Sequence, residues 1–363
     1  MSMQALATPA ADVILRDGST LRLRAPMQED APAVASFFRG LSKRSSYLRF
    51  HGFRTVDDEL VGHFVNPDWV NRGVLVGTVA GPDGDDRIVA VGEYDRLRDP
   101  GAAEAAFAVT DELQGHGIGT RLLERLAALA AEEGIERFVA QVLPENRPML
   151  DLFESTGFEV TRELEGGEFE VCFPIVATEQ YRSRIDERDH LAVTASVRPF
   201  FEPRSIAVIG ASRRRGSIGG ELFRNVLAAD FTGAAYPVNR EGEPVGGVPG
   251  YASIADVPEV VDLAVICLPG PLVHEAAEDA LASGVKALCV ISSGFAEVGV
   301  EGRERQKRLL DLVRAHGGRL VGPNCLGIAV PRFGLNATFG PRPLPRGPIA
   351  FSSQSGALGL ALL

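Results

Sequence analysis

Apolar and polar positions along the chain follow two periods, and the switches between them mark out its elements. Ala105, Phe107 and Val109 alternate with Ala106, Ala108 and Thr110, which predicts a strand. Gln114-Gly115-His116-Gly117-Ile118-Gly119 then breaks the alternation. Leu122, Leu123, Leu126 and Leu129 follow at helical spacing. The order is strand, glycine loop, helix. A loop of this kind presents unpaired N–H groups at the positive end of a helix dipole, and phosphate suits it best.

The same periods organise the flanks. Val13 to Arg24 predicts a hairpin around Asp17-Gly18. Gln28 to Leu41 is helical behind Pro26, and Tyr47 to Gly52 and Asp57 to Phe64 form a second helical region. Val74 to Ala80 and Arg87 to Tyr94 are strands joined at Gly81-Pro82-Asp83-Gly84. After the central strand and helix come a strand at Arg137 to Leu143, a helix at Arg147 to Thr156, and strands at Phe158 to Leu164 and Glu168 to Pro174. Six or seven strands among helices predict an α/β domain with a mixed sheet over residues 13–175. Residues 176–198 are charged, lack a clear apolar stripe and read as a linker.

A second pattern starts near residue 199. Ser205 to Gly210 is a continuous apolar run, the mark of a strand buried on both faces. Ala235 to Asn239, Leu263 to Pro269, Ala287 to Gly294 and Leu320 to Gly327 repeat it, each leading into a Gly/Pro loop. This predicts a doubly wound, Rossmann-like sheet over 199–330, and 331–363 reads as a linker and the start of another domain. The apolar end Leu360-Ala361-Leu362-Leu363 implies a longer natural chain.

Composition narrows the function. A net charge of −11 argues against nucleic acid or an anionic membrane as partner and suits a basic substrate such as lysine. No apolar run is long enough to span a membrane, and the start carries no signal-peptide pattern. The four cysteines stand singly with no histidine at ligand spacing, so the expectations are a cytoplasmic location and no metal site.

The Gln-x-x-Gly-x-Gly order after a strand resembles the acetyl-CoA pyrophosphate loop of the GNAT superfamily of N-acetyltransferases. Val142-Leu-Pro-Glu-Asn146, with Leu150 to Phe158 ending in Gly-Phe, is similar to that family's second motif. The resemblance implies that Phe107 to Val109 hold pantetheine and the thioester oxygen, and that Gln114, Gly115, His116, Gly117, Ile118, Gly119 and Thr120 hold the pyrophosphate. Asn146 would bond the pantetheine amide; as a bare residue it is equally a helix N-cap. Glu104 matches the family's general base, with Glu93 in reserve. Phe153 stands where many members carry a tyrosine that protonates the departing thiolate.

In the second domain, GxGxxG spacing is missing and the second strand ends in Asn239-Arg240 without an acidic residue, so NAD is rejected. The blocks GAS-x₃-G-x₂-G, YPVN, DLAVICLP, SSGFAEVG and GPNCLG resemble the CoA-binding domain of NDP-forming acyl-CoA synthetases. That resemblance implies CoA or acyl-CoA contacts from Gly210, Ser212, Arg213, Arg214, Arg215, Gly216, Ile218 and Gly219, with Ser292, Ser293 and Gly294 lining the same crevice. A GNAT domain joined to such a module is similar to bacterial protein lysine acetyltransferases. The partner implied is a protein bearing an acceptor lysine, an acyl-CoA synthetase being one such target. A small-amine acetyltransferase, or a CoA-sensing module with an inactive GNAT part, are the alternatives.

Overall fold

The computed structural model describes residues 10–359 except 53, 81–85, 177, 343 and 357. The turn expected at Gly81 to Gly84 and the apolar end from Leu360 lie outside the described residues. The chain divides into two compact units, one up to Ala195 and one from Ser196 onward. That division falls inside the stretch expected to be a linker.

In the first unit the order is β1 (Ala11–Ile14), β2 (Thr20–Arg24), α1 (Ala31–Gly40), α2 (Lys43–Phe50), α3 (Asp58–Val65), β3 (Arg72–Ala80), β4 (Asp86–Arg96) and β5 (Ala102–Val109). Then come α4 (Ile118–Glu132), β6 (Arg137–Val142), α5 (Arg147–Ser155), β7 (Thr161–Glu165), β8 (Glu168–Pro174) and α6 (Glu179–Phe201). Eight strands form one mixed sheet in the order β1-β2-β3-β4-β5-β6-β8-β7. β5 and β6 run parallel, and their neighbours pair antiparallel. Val34, Phe38, Leu60 and Phe64 from α1 and α3 pack with Val74, Val76, Val91 and Ala108 of the sheet. On the other face Leu122 and Leu126 of α4 pack with Leu75, Phe107 and Phe138. Burying each of these side chains contributes roughly 1.5–3 kcal/mol, so the sheet is held from both faces.

The parallel pair is short. Ala102, Ala103 and Glu104 match Arg137, Phe138 and Val139, and the register stops there. Beyond it β5 stays paired to β4 as far as Val109, and β6 stays paired to β8 as far as Val142. Each strand keeps one partner while the two part from each other, which leaves a wedge with no strand partner on its facing edges.

The charged stretch is helical: α6 begins at Glu179. Its hold on the first unit is partly polar, which is why no apolar stripe shows in the sequence. Arg188 donates to the backbone oxygens of Ser155 (3.1 Å) and Thr156 (3.3 Å) and to the Glu124 carboxylate, while Tyr181 stacks on Phe158 at 4.2 Å.

The second unit contains β9 (Ser205–Ile209), α7 (Ile218–Ala228), β10 (Ala234–Val238), β11 (Leu263–Ile266), α8 (Val273–Ala282), β12 (Ala287–Val290), α9 (Val300–Ala315), β13 (Arg319–Val321), β14 (Gly327–Val330) and β15 (Leu335–Thr338). The parallel sheet runs β10-β9-β11-β12-β13, so the strand order reverses between β9 and β11. Ala207, Ala264, Ile266 and Leu288 face α8 and α9, whereas Ile206, Val208, Val265 and Cys289 face the α7 side. Helices on both faces make it the doubly wound α/β sheet expected. One boundary is corrected. Leu335 and Ala337 on β15 are buried with Phe223 of α7, so 335–338 completes this unit's core and is not linker.

That correction carries a test. Leu335→Ala empties a core position that is 1% exposed, and the expected cost is about 2–4 kcal/mol. Hydrogen exchange of β9 and α7 amides should accelerate accordingly. Unchanged exchange would put Leu335 outside the core.

Candidate active site

Gly117 opens α4 from the left-handed region, φ 87°, a conformation that favours glycine over any side chain. The turn sends the chain from the end of β5 into α4 with its first amides facing the wedge. A groove of about 950 Å³ results. All the first-unit residues expected to hold a cofactor line it: Phe107, Val109, Gln114 to Thr120, and Asn146. Asn146 stands at the N-cap of α5 without a side-chain cap bond, so its amide is available to the groove. Gln114 Nε2 donates to Val109 O and to Ser45 Oγ, each at 3.2 Å. His116 Nδ1 lies 3.2 Å from Asp17 Oδ2, which ties the loop to the β1–β2 turn.

Two further walls complete the groove, the first from the helical region expected to border it. Arg44, Ser45 and Arg49 of α2 line one side, and Arg184, Arg188 and Leu191 of α6 line another. Asp111 fixes α2 by accepting from Ser42 N (3.0 Å), Ser42 Oγ and Ser45 Oγ (2.7 Å each). An Asp shortly after a strand gives no hint of this, since the bond spans more than sixty residues.

Glu104 occupies the last paired register before β5 and β6 part. It is exposed and outside the groove lining, and it makes no ion pair or hydrogen bond among the described residues. Cross-strand pairing puts it opposite Asp95, on the face that carries Glu93. Glu93 is buried. Its carboxylate meets the Arg49 guanidinium and His63 Nε2 (2.7 Å). His63 also lies 3.7 Å from Asp95, and Arg72 bonds Asp95 at 3.0 Å. Burial alone would push Glu93 up, but the His63 bond and the Arg49 charge outweigh it and hold its carboxyl below the usual range. Burial, then the neighbouring Glu93 charge, pushes Asp95 up. Glu93 is thus an ionised but weakly basic group. Arg49 lines both the main groove and a small pocket of about 90 Å³ around Glu93 and His63.

Where the sequence predicts no metal site, His63, Glu93 and Asp95 bring ligand atoms within 4.8 Å of one another. Two arginines already balance the two carboxylates. The arrangement is that of an ion-pair network.

Phe153 corrects another expectation. It is buried against Phe173, ring centroids 5.1 Å apart, and does not line the groove. A hydroxyl there would be buried among rings, not offered to a leaving thiolate.

In the second unit, Gly210, Ser212, Arg213 to Gly216, Ile218 and Gly219 form the β9–α7 connection, and Ser292 to Gly294 follow β12. A Cβ on Gly219 would stand 2.2 Å from Gly210 O, so this crossing needs a bare backbone. Several groups expected to meet phosphate are engaged within the chain. Gly216 N donates to Glu221 Oε1 (2.7 Å), Gly294 N to Glu297 Oε1 (2.6 Å), and Arg213 pairs with Glu243 (2.5 Å). Arg214 N donates to Ser212 Oγ (3.1 Å), and Ser292 Oγ to Ile266 O (3.3 Å). The Arg214 and Arg215 side chains make no ion pair among the described residues. The loop lies at the strand-order reversal, where doubly wound sheets bind ligands.

Residues 32–158 match the acetyltransferase (GNAT) family, and residues 204–331 match the CoA binding domain family. Among curated proteins, the acetate–CoA ligase [ADP-forming] I subunit alpha of Pyrococcus furiosus is 41% identical over 173 residues, 46% of this chain and 37% of that subunit. Acetyltransferase Pat of Mycolicibacterium smegmatis is 30% identical over 154 residues, 42% of this chain and 45% of that protein. The chain therefore spans less than half the length of either relative. The solved GNAT domain of S. lividans PAT is 36% identical, covers 46% of this chain and 96% of that one, and superposes with a TM-score of 0.42. No helix among the described residues is long and apolar enough to cross a membrane.

The Glu93 network predicts a pH signature. Its folded pKa is depressed, so its stabilisation is present above the ordinary glutamate value of 4.5 and is lost as pH falls through the lower folded value. Glu93→Gln leaves Arg49 buried without its counter-charge, at a cost of about 3 kcal/mol at pH 7. In denaturation measured from pH 7 to pH 3, the difference between parent and variant should shrink below about pH 4.5. A constant difference would deny Glu93 its charge in the native state.

Proposed function

We propose that this chain, which carries a GNAT-family acetyltransferase domain followed by a CoA-binding domain, transfers an acetyl group from acetyl-CoA to a lysine side chain of a protein. The observation that carries the proposal is the wedge between β5 and β6 opening onto the amide-lined start of α4. One groove joins the two, and all the first-unit residues expected to hold the cofactor line it.

Acetyl-CoA supplies the acetyl group as an activated thioester. Phe107 to Val109 offer backbone groups on the side that β6 has left, the place for pantetheine and the thioester oxygen. Gln114 to Thr120 set loop amides and the α4 dipole against the pyrophosphate, where a negative charge is stabilised without a metal ion. Asn146 holds the pantetheine amide with its free side chain. These residues fix the thioester in line for attack.

The acceptor amine must first lose a proton. A free lysine has a pKa of about 10.4 and is almost wholly protonated at pH 7, so a base is required. Glu104 takes that role because it has no ion pair or hydrogen bond among the described residues, whereas Glu93 is spent on Arg49 and His63. Its carboxylate takes one proton from the ammonium, the freed Nζ lone pair bonds the thioester carbon, and the second N–H proton passes to water. The C–S bond then breaks and the thiolate leaves unassisted, being a far better leaving group than an amine. Exposed Glu104 beside the wedge suits a cationic lysine on approach. The second domain takes CoA or acyl-CoA and regulates the first; an acyl-CoA synthetase is the class of target whose activity such regulation would follow.

Glu104→Gln should lower kcat by about 10²–10⁴-fold on a lysine-bearing protein, with acetyl-CoA binding little changed. Steady-state kinetics with calorimetry on the same preparation decide it. Wild-type kcat in the variant would remove Glu104 from the role.

A further inference from the structure

The groove has more wall than pantetheine and pyrophosphate need. At about 950 Å³ it lies near the upper end for small-molecule sites. Past the α4 loop it continues along Pro148, Leu152 and Ser155 of α5 and reaches α6, which lies beyond the matched residues 32–158. Resting on the reading of this groove as the CoA site, we propose that α6 forms the subsite for the adenosine 3′-phosphate end of the ligand, with Arg184 holding the phosphate and Leu191 covering the adenine.

Arg184, Arg188 and Leu191 are spaced i, i+4, i+7, so they share one face of the helix, and all three line the groove. Their roles separate by what each already touches. Arg188 is engaged by Glu124 and by the Ser155 and Thr156 carbonyls, and Asp189 on the same helix pairs with Arg121 of α4 at 2.5 Å. These two contacts fix α6 against α4 and α5, so its groove face is preformed. Arg184 is otherwise. Its side chain is half exposed and its one ion pair, to Glu187, is long at 3.4 Å. It lies beside Gly157 with a guanidinium free to take a phosphate monoester bidentately. Leu191 is 59% exposed, an apolar surface facing the groove one helical turn beyond Arg188. An aromatic base covers such a side chain without leaving any polar group unpaired.

The phosphate monoester is the feature that separates CoA from 3′-dephospho-CoA, so the ratio of their affinities tests Arg184 alone. Calorimetry on the full chain would measure both ligands against the parent, Arg184→Ala and Leu191→Asp, with Gly117→Glu marking the part of the binding that belongs to this groove. Arg184→Ala should cut the preference for CoA over 3′-dephospho-CoA about tenfold while leaving the dephospho ligand's affinity within twofold. Leu191→Asp should weaken both nucleotides and spare a pantetheine thioester that lacks adenosine. Loss of groove binding in Gly117→Glu, with the ratio unchanged in Arg184→Ala, overturns the α6 subsite while the groove reading stands. CoA binding untouched by Gly117→Glu overturns the groove reading itself, and this inference with it.

Discussion

Two parallel strands that part while each keeps its other partner are the constraint on which the first unit depends. Backbone amides and carbonyls in a core must be paired, and the sheet pairs nearly all of them. Between β5 and β6 the register ends at Glu104 and Val139, yet both strands run on, held by β4 and β8. The facing edges of β5 and β6 therefore lie open beyond that register, with no strand between them. A ligand with amides of its own can pair there as a strand would. Helix α4 adds its amino end at the wide mouth of the wedge, while α1 and α3 pack on the opposite face of the sheet.

Side chains then sort themselves by what holds them. Glu93 is drawn into an ion-pair network with Arg49, His63, Asp95 and Arg72, which stiffens the acceptor side and lowers the basicity of its buried carboxylate. Glu104, at the last register that β5 shares with β6, makes no ion pair or hydrogen bond among the described residues. In the second unit Glu221 and Glu297 already bond loop amides at the ends of β9 and β12. An anion entering there would compete with a carboxylate on the same amides, which weakens its binding.

Much of this was legible from local pattern. The glycine loop shows because a strand, Gly117 and the α4 leucines occur within one short stretch, and the parallel sheet of the second unit shows because β9, β11 and β12 are apolar throughout. What was missed depends on distant partners. Helix α6 hides its contacts in arginines and a tyrosine, Asp111 fixes α2 across the sheet, and Glu93 is distinguished from Glu104 only by where Arg49 and His63 arrive. Leu335 and Ala337 looked like linker because their partners, Phe223 and its neighbours, lie over a hundred residues back. Phe153 fell at a position the family resemblance gave to an acid, and packing against Phe173 explains why it is a ring in the core.

On this reading the wedge, and not the second unit's crevice alone, holds the CoA ligand. Hydrogen exchange measured on the full chain with and without acetyl-CoA tests it residue by residue. Binding in the wedge should strongly protect the amides at Phe107 to Val109 and Gly115 to Gly119, and that protection should be lost in Gly117→Glu. Protection confined to residues 210–219 and 292–294, with the wedge amides unchanged at saturating ligand, would contradict it.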